Sequence, residues 1–280
     1  MTAVGFITNP NHVLHAAEGH PEGPERLEAA LALLRECGLI ERLTPIELRD
    51  ASDEELALVH RREYVELLRQ ACARGGGWFD PDTYCVRESC DVASAAAGAC
   101  LAAIDAVLSG DARSAFAAVR PPGHHARPGQ AMGFCLLNNV AIAARYAQRH
   151  HGLERVAIVD IDVHHGNGTQ DAFYDDPAVL YVSTHKYPFY PGTGRAEETG
   201  AGDARGTNVN IPLPAGCGDA EYAAVFDQIV EPVVRRFRPE LLLVSCGFDA
   251  HYADPLAMMS LSVDGYGGLM SRLRALAEEL

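Results

Sequence analysis

The chain has 280 residues, 48% of them hydrophobic, with 38 acidic against 23 basic side chains and a net charge of -15. This length and apolar content predict one large globular α/β domain over residues 1–280, and the negative charge argues against a nucleic-acid-binding module while suiting a cationic substrate or simply solubility. Eight cysteines without a Cys-x-x-Cys pair read as reduced thiols; with no basic-apolar leader and no apolar run long enough to span a bilayer, the expectation is a soluble, cytoplasmic protein that binds no membrane.

In chain order, a strand is predicted at Val4 to Ile7, then a polar loop containing His20 to Arg26. A helix follows in which Leu27, Leu31 and Leu34 recur at helical spacing and Gly38 supplies the stop. Ser52 and Glu55 form a capping-box pattern, and Arg62 to Ala73 reads as a helix running up to Gly75-Gly76-Gly77, expected as a flexible loop. Asp91 to Leu108 is an Ala-rich buried helix, Ser114 to Val119 a strand, Arg120 to Gly133 a polar loop and Asn138 to Arg149 a helix. The run Arg155 to Asp162 suits a strand covered on both faces. Further strands are predicted at Val179 to Ser183, Asn208 to Ile211 and Leu241 to Ser245, with one long helix over Ala220 to Phe237 before the last. This alternation predicts an α/β fold, a parallel sheet with helices on both faces.

Three polar segments follow predicted strands, where open parallel sheets bind ligands: Gly123-His124-His125, Asp160 to Gly168, and Gly247 to His251. If the second continues as a strand, Asp160, Asp162 and His164 alternate onto one side. Asp162 and His164 with Asp249 from another strand end make a three-ligand set that leaves a zinc position open to water, the alternative being a solvated polar strand end without metal.

The segments Arg120 to Ala126, Gly133 to Asn139, Asp160 to Thr169, Ser183 to Lys186, Tyr190 to Gly194 and Gly247 to His251 occur in the order seen in histone deacetylases and acetylpolyamine amidohydrolases. The chain resembles that family over nearly its whole length, and Asn167 resembles the class II-like and bacterial branch. The resemblance implies an arginase/deacetylase-like fold and a Zn2+-dependent amidohydrolase that removes acetyl groups from acetyl-lysine or acetylpolyamine, a small-molecule or peptide acetylated amine. It implies that Asp162, His164 and Asp249 bind zinc, that His125 is the general base, and that His124 is its electrostatic companion bonded to Asp160. Asn167, being an amide, brings no negative charge to His125 and so leaves that imidazole easier to keep neutral. Phe134, beside Gly133, and Tyr190 match the aromatic pair flanking the substrate channel. Asp82 is a rim candidate for holding a substrate backbone or amine, with a surface-turn role as the alternative, and His20 shares that ambiguity. Potassium (K+) is implied at Asp160, Asp162, His164, Ser183 and Thr184, and a second ion at Phe173, Asp176, Val179 and Thr207.

Relatives continue past the helix beginning near Gly265 into a strand and a Glu-Gly-Gly-Tyr loop whose tyrosine stabilises the oxyanion. This chain stops before that loop, so turnover reduced by ~10²–10³ is the expectation, and Tyr266 is not assigned the oxyanion role. Two other classes compete. A non-catalytic zinc-containing acetyl-amine binding module would not turn over an acetyl-lysine peptide; a binuclear manganese ureohydrolase would hold two metals per chain. Self-association into a homo-oligomer is left open.

Overall fold

The computed structural model describes residues 3–280. The chain divides into two compact units, one up to His151 and one from Gly152.

In the first unit, β1 (Val4–Thr8) leads to α1 (Pro24–Glu36). Pro24 opens the helix, where its missing N–H is no loss. Gly38 closes it at φ +62°: its N–H bonds Arg35 O and the Leu39 N–H bonds Leu34 O, which satisfies carbonyls the helix leaves open. A short β2 (Thr44–Pro45) precedes α2 (Asp53–Leu56), whose capping box is formed as expected, Ser52 Oγ accepting from Glu55 N and Glu55 Oε2 from Ser52 N. The helix α3 (Arg62–Ala73) buries Tyr64, Val65, Leu68 and Cys72 along one face.

The glycines after α3 do not form a flexible loop. They open β3 (Gly76–Asp80), which pairs antiparallel with β4 (Thr83–Val86) in register Gly77 to Cys85 and Trp78 to Tyr84. A Cβ on Gly76 would overlap the Cys85 carbonyl, so glycine here permits close approach of two strands rather than disorder. Next comes α4 (Ser89–Leu108), then β5 (Ser114–Ala118) and α5 (Asn139–His151). The sheet order is β2-β1-β5, all parallel.

The expectation that no apolar run could span a bilayer is corrected by α4, whose 20 residues make it long and apolar enough to cross one. Most of its residues are buried inside the unit, seven of its alanines among them. Small core-filling side chains raise hydropathy as a membrane span would.

In the second unit, β6 (Val156–Asp160), α6 (Asn167–Phe173), β7 (Val179–Lys186) and β8 (Asn208–Leu213) alternate. The long helix expected over 220–237 is three pieces: α7 (Asp219–Val225), a π-helical turn Phe226–Val230, and α8 (Glu231–Phe237). Tyr222, Phe226, Val230 and Val234 are all fully buried. At about 100° per residue a strict α-helix would rotate such a four-residue series off the core, and the wider π turn resets it. Pro232 lacks the N–H that a continuous ladder would need. β9 (Leu241–Ser245) and α9 (Val263–Glu279) complete the unit. The sheet is parallel, in the order β8-β7-β6-β9, and every residue of β6 and β7 is buried, the apolar runs 156–159 and 179–182 as a strand covered on both faces requires and the polar residues that follow them as well.

Candidate active site

The second unit builds a cluster of metal-ligating groups at one sheet edge. β6 pairs directly with β9, Asp160 opposite Ser245, so the segments leaving both strands emerge side by side. Strand geometry ends at Asp160, so Asp162 and His164 are not aligned by alternation along an extended chain, as expected; they lie in the bends that follow. What joins them is a local turn: the His164 N–H donates to Asp162 Oδ1 at 2.7 Å, an aspartate bonding backbone two residues on. From the turn after β9, Asp249 Oδ1 accepts the Val163 N–H at 2.9 Å.

His164 Nδ1 then stands 3.1 Å from Asp162 Oδ1 and 2.8 Å from Asp249 Oδ2, and ligand atoms of the three side chains all lie within 4.8 Å of one another. A Cβ on Gly247 would overlap the Asp162 carboxylate, so this approach requires glycine. Burial lowers the pKa of His164, but hydrogen bonds to Asp162 and Asp249 outweigh it and push the imidazole up to about 10. Burial, then the neighbouring Asp162, raises Asp249. Two half-buried carboxylates facing one imidazole are thus short of positive charge, and two oxygens and a nitrogen converging on one point fit a divalent metal ion, which would replace the proton on Nδ1.

Around the cluster, His164 stacks on Phe189 with centroids 5.1 Å apart and meets Tyr190 edge-on at 6.1 Å. Asp160 is fully buried; its Oδ2 accepts from Tyr181 Oη at 3.1 Å and its Oδ1 from Asp162 N at 3.3 Å. Asn167, also buried, is the first residue of α6. The adjacent His165 turns away from the cluster to Thr193 Oγ1 at 2.8 Å and Gln170 Oε1 at 3.1 Å. Glu198 accepts from Gln170 Nε2 and from the Gly194 and Arg195 N–H groups, so the loop beyond Tyr190 is pinned from inside. Neither Gln170 nor Glu198 was singled out by motif or spacing.

For the cation positions implied by resemblance, Asp160 is the register neighbour of Ser183, and Thr184 Oγ1 donates to Asp160 O at 3.4 Å. Phe173, Asp176 and Val179 follow one another through backbone bonds at the end of α6, and Thr207 O accepts from Tyr181 N at 2.8 Å.

The first unit holds the histidine pair. His124 and His125 are buried with ring centroids 4.0 Å apart. A Cβ on Gly133, at φ +56°, would overlap the His125 ring, so this glycine lets the loop close against the imidazole. Phe134 follows at φ +67°, unusual for a bulky residue, and its N–H donates to Thr83 Oγ1 at 3.0 Å. The same Thr83 hydroxyl donates to Asp82 Oδ1 at 3.2 Å. His20 bonds the Asp82 carbonyl through Nε2 at 3.0 Å and sits edge-on to Phe134 at 4.9 Å. The rim candidates His20, Asp82, Gly133 and Phe134 are therefore one assembly. Burial, then Asp80, raises the Asp82 pKa.

His60 and Arg120, to which the sequence assigned no role, hold this loop. Asn138 N–H donates to His60 Nε2 at 2.9 Å, which leaves Nδ1 protonated to donate to Arg127 O at 3.1 Å. Buried Arg120 grips Glu22 through Nε at 2.5 Å and Nη2 at 2.7 Å, and also reaches His12 O. Only a buried Arg-carboxylate fold partner, invisible at a separation of 98 residues, could have revealed it.

Residues 20–280 match the histone deacetylase domain as a family profile. A probable deacetylase of Archaeoglobus fulgidus is 44% identical over 278 residues, covering 98% of this chain and 77% of that protein. A human polyamine deacetylase is 44% identical over 269 residues, covering 91% of this chain and 40% of that protein. A crystal structure of the HDA15 HD domain superposes with a TM-score of 0.95 at 39% identity, over 99% of this chain and 80% of that one.

Proposed function

Because this chain belongs to the histone deacetylase family, we propose that it is a zinc-dependent amidohydrolase that releases acetate from an acetylated amine, acetyl-lysine or an acetylpolyamine. The observation that carries this reading is the convergence of Asp162, His164 Nδ1 and Asp249 Oδ2 on one point, with too little positive charge to balance them. These three would hold the zinc, which when bound polarises an amide carbonyl and makes water a better nucleophile near neutral pH. His125 takes the proton of the attacking water and returns it to the departing amine, a task that suits an imidazole. His124 steadies the charge that His125 gains. Asp160 orients its neighbours from full burial, and Asn167 supplies an amide dipole without a competing charge. Phe134 and Tyr190 grip the aliphatic stem of the substrate, and Asp82 receives a substrate N–H or ammonium. Potassium held by main-chain oxygens at the ends of β6 and β7, and beyond α6, would stiffen the turn that carries Asp162 and His164.

The test joins metal counting to turnover. Elemental analysis is expected to find one zinc per chain, Asp249→Ala is expected to lose it, and the wild type is expected to release acetate from an acetyl-lysine peptide or a monoacetylated diamine. Zinc bound as tightly by Asp249→Ala would overturn the ligand set. One zinc with no turnover of either substrate would favour a binding module, and two metals per chain a binuclear hydrolase.

A further inference from the structure

Of the 23 Lys and Arg residues in the chain only one, Lys186, is a lysine. It is the last residue of β7 and closes the segment Ser183 to Lys186, in which only the serine and threonine have so far been given a role. It is also buried, at 6% exposure. Among the described residues no carboxylate stands within ion-pair reach of its ammonium. A buried cation without a counter-ion is costly to hold. What Lys186 lies over is the ring of Phe189, with Nζ 3.9 Å from the centroid, and an aromatic face attracts a desolvated cation. Phe189 in turn lies against His164, the two rings within 16° of parallel and 5.1 Å apart. The plane of an imidazole decides where its Nδ1 points, and here Nδ1 faces Asp162 Oδ1 and Asp249 Oδ2. The backbone of Lys186 grips the same turn independently. Its N–H donates to Val163 O at 2.8 Å, while the Val163 N–H is held by Asp249 Oδ1, so the residue between Asp162 and His164 is fixed at both its peptide groups.

Resting on the reading that Asp162, His164 and Asp249 hold zinc, we propose that Lys186 is a positioning residue for the metal. Its ammonium holds the Phe189 ring flat against His164 and so keeps Nδ1 aimed at the point on which the two carboxylates converge. An imidazole aimed beforehand loses less freedom when a metal binds, so the benefit appears as affinity. The choice of lysine follows from the same geometry. A compact ammonium can centre on one ring face in a nearly closed space, where a guanidinium would bring a planar fork of donors with no acceptors to meet them. A chain that otherwise uses arginine for every fixed positive charge keeps its lysine at this position.

The experiment has two parts. Isotope labelling of lysine in the full chain gives the NMR signals of one side chain, because there is one lysine. In the metal-free wild type the protons on Lys186 Cε should lie upfield of those of a solvated lysine, shifted by the Phe189 ring; signals at the solvated position would overturn the proposal without any variant having to fold. Zinc affinity is then measured by competition with a chelator in the wild type, Lys186→Met, Phe189→Leu and the double variant. Lys186→Met keeps the stem and loses the charge, and should bind zinc roughly ten-fold more weakly. In the Phe189→Leu background the same change should cost nothing further, since the ammonium acts through the ring. Zinc held as tightly by Lys186→Met as by the wild type, or a loss of the same size with and without Phe189, would overturn the positioning role. The two readings fail separately: zinc retained by Asp249→Ala removes the ligand set itself, whereas zinc lost there but undiminished in Lys186→Met removes only the part given to Lys186.

Discussion

At the scale of single residues, His125 and His60 separate chemistry from support. His125→Ala should cut turnover by roughly 10²–10⁴ and leave the zinc count at one, since the imidazole is assigned a proton rather than the metal; loss of zinc in that variant would mean a ligand role. His60 is buried between Arg127 and Asn138, and burial drops its pKa to about 4 from 6.5. It is therefore neutral when folded and protonates more readily when unfolded. The stability it lends is intact above pH 6.5 and drains away as pH falls from there toward 4, by about 3 kcal/mol at ~1.4 kcal/mol per unit. Urea titrations between those pH values should show a shallower pH slope for His60→Gln than for the wild type; parallel slopes would refute the assignment. The metal-ligand candidates were legible in sequence because two carboxylates and an imidazole after strands leave few other uses. His60 was not, since its worth lies in a bond to a residue 78 positions away.

At the scale of elements, periodicity located α3 and β9 to the residue, because an apolar face and a run of Leu and Val leave one reading each. The β3–β4 hairpin escaped because glycine signals freedom and close approach with the same letter. The π turn escaped because a four-residue apolar repeat drifts off one helix face only slightly at each step, and the drift shows only when it has accumulated over several turns. Gly98 in α4 turns this into an expectation. Replacing a mid-helix glycine by alanine ordinarily adds ~1 kcal/mol of helix stability, yet here the new Cβ would overlap the carbonyl of Arg49, in the backbone that crosses the helix. Gly98→Ala should destabilise the protein by about 1–3 kcal/mol, and a thermal midpoint that rises instead would show that the crossing segment yields. Tyr266, on α9, illustrates the same limit of sequence reading: its hydroxyl accepts the Ala250 N–H at 3.1 Å, next to Asp249, a support no spacing suggested.

At the scale of the whole molecule, the charge of -15 distinguishes substrates. As the Debye length shrinks from ~30 Å to ~3 Å with added salt, KM for an acetylpolyamine carrying a free ammonium should rise by roughly ten-fold, while that for an uncharged acetamide should hold steady. Equal responses would leave the acidic surface to solubility alone. The neighbouring placement of β6 and β9 has a further consequence, in time rather than space. Val163 and the carboxylate it holds are 86 residues apart, and everything from α6 through α8 is synthesised between them. A chain emerging from the ribosome exposes Asp162 and His164 long before Asp249 exists, and contacts of such separation form late. Under the proposed function, tight metal capture would therefore come only once β9 has taken its place beside β6, so finished molecules would be loaded and unfinished ones passed over.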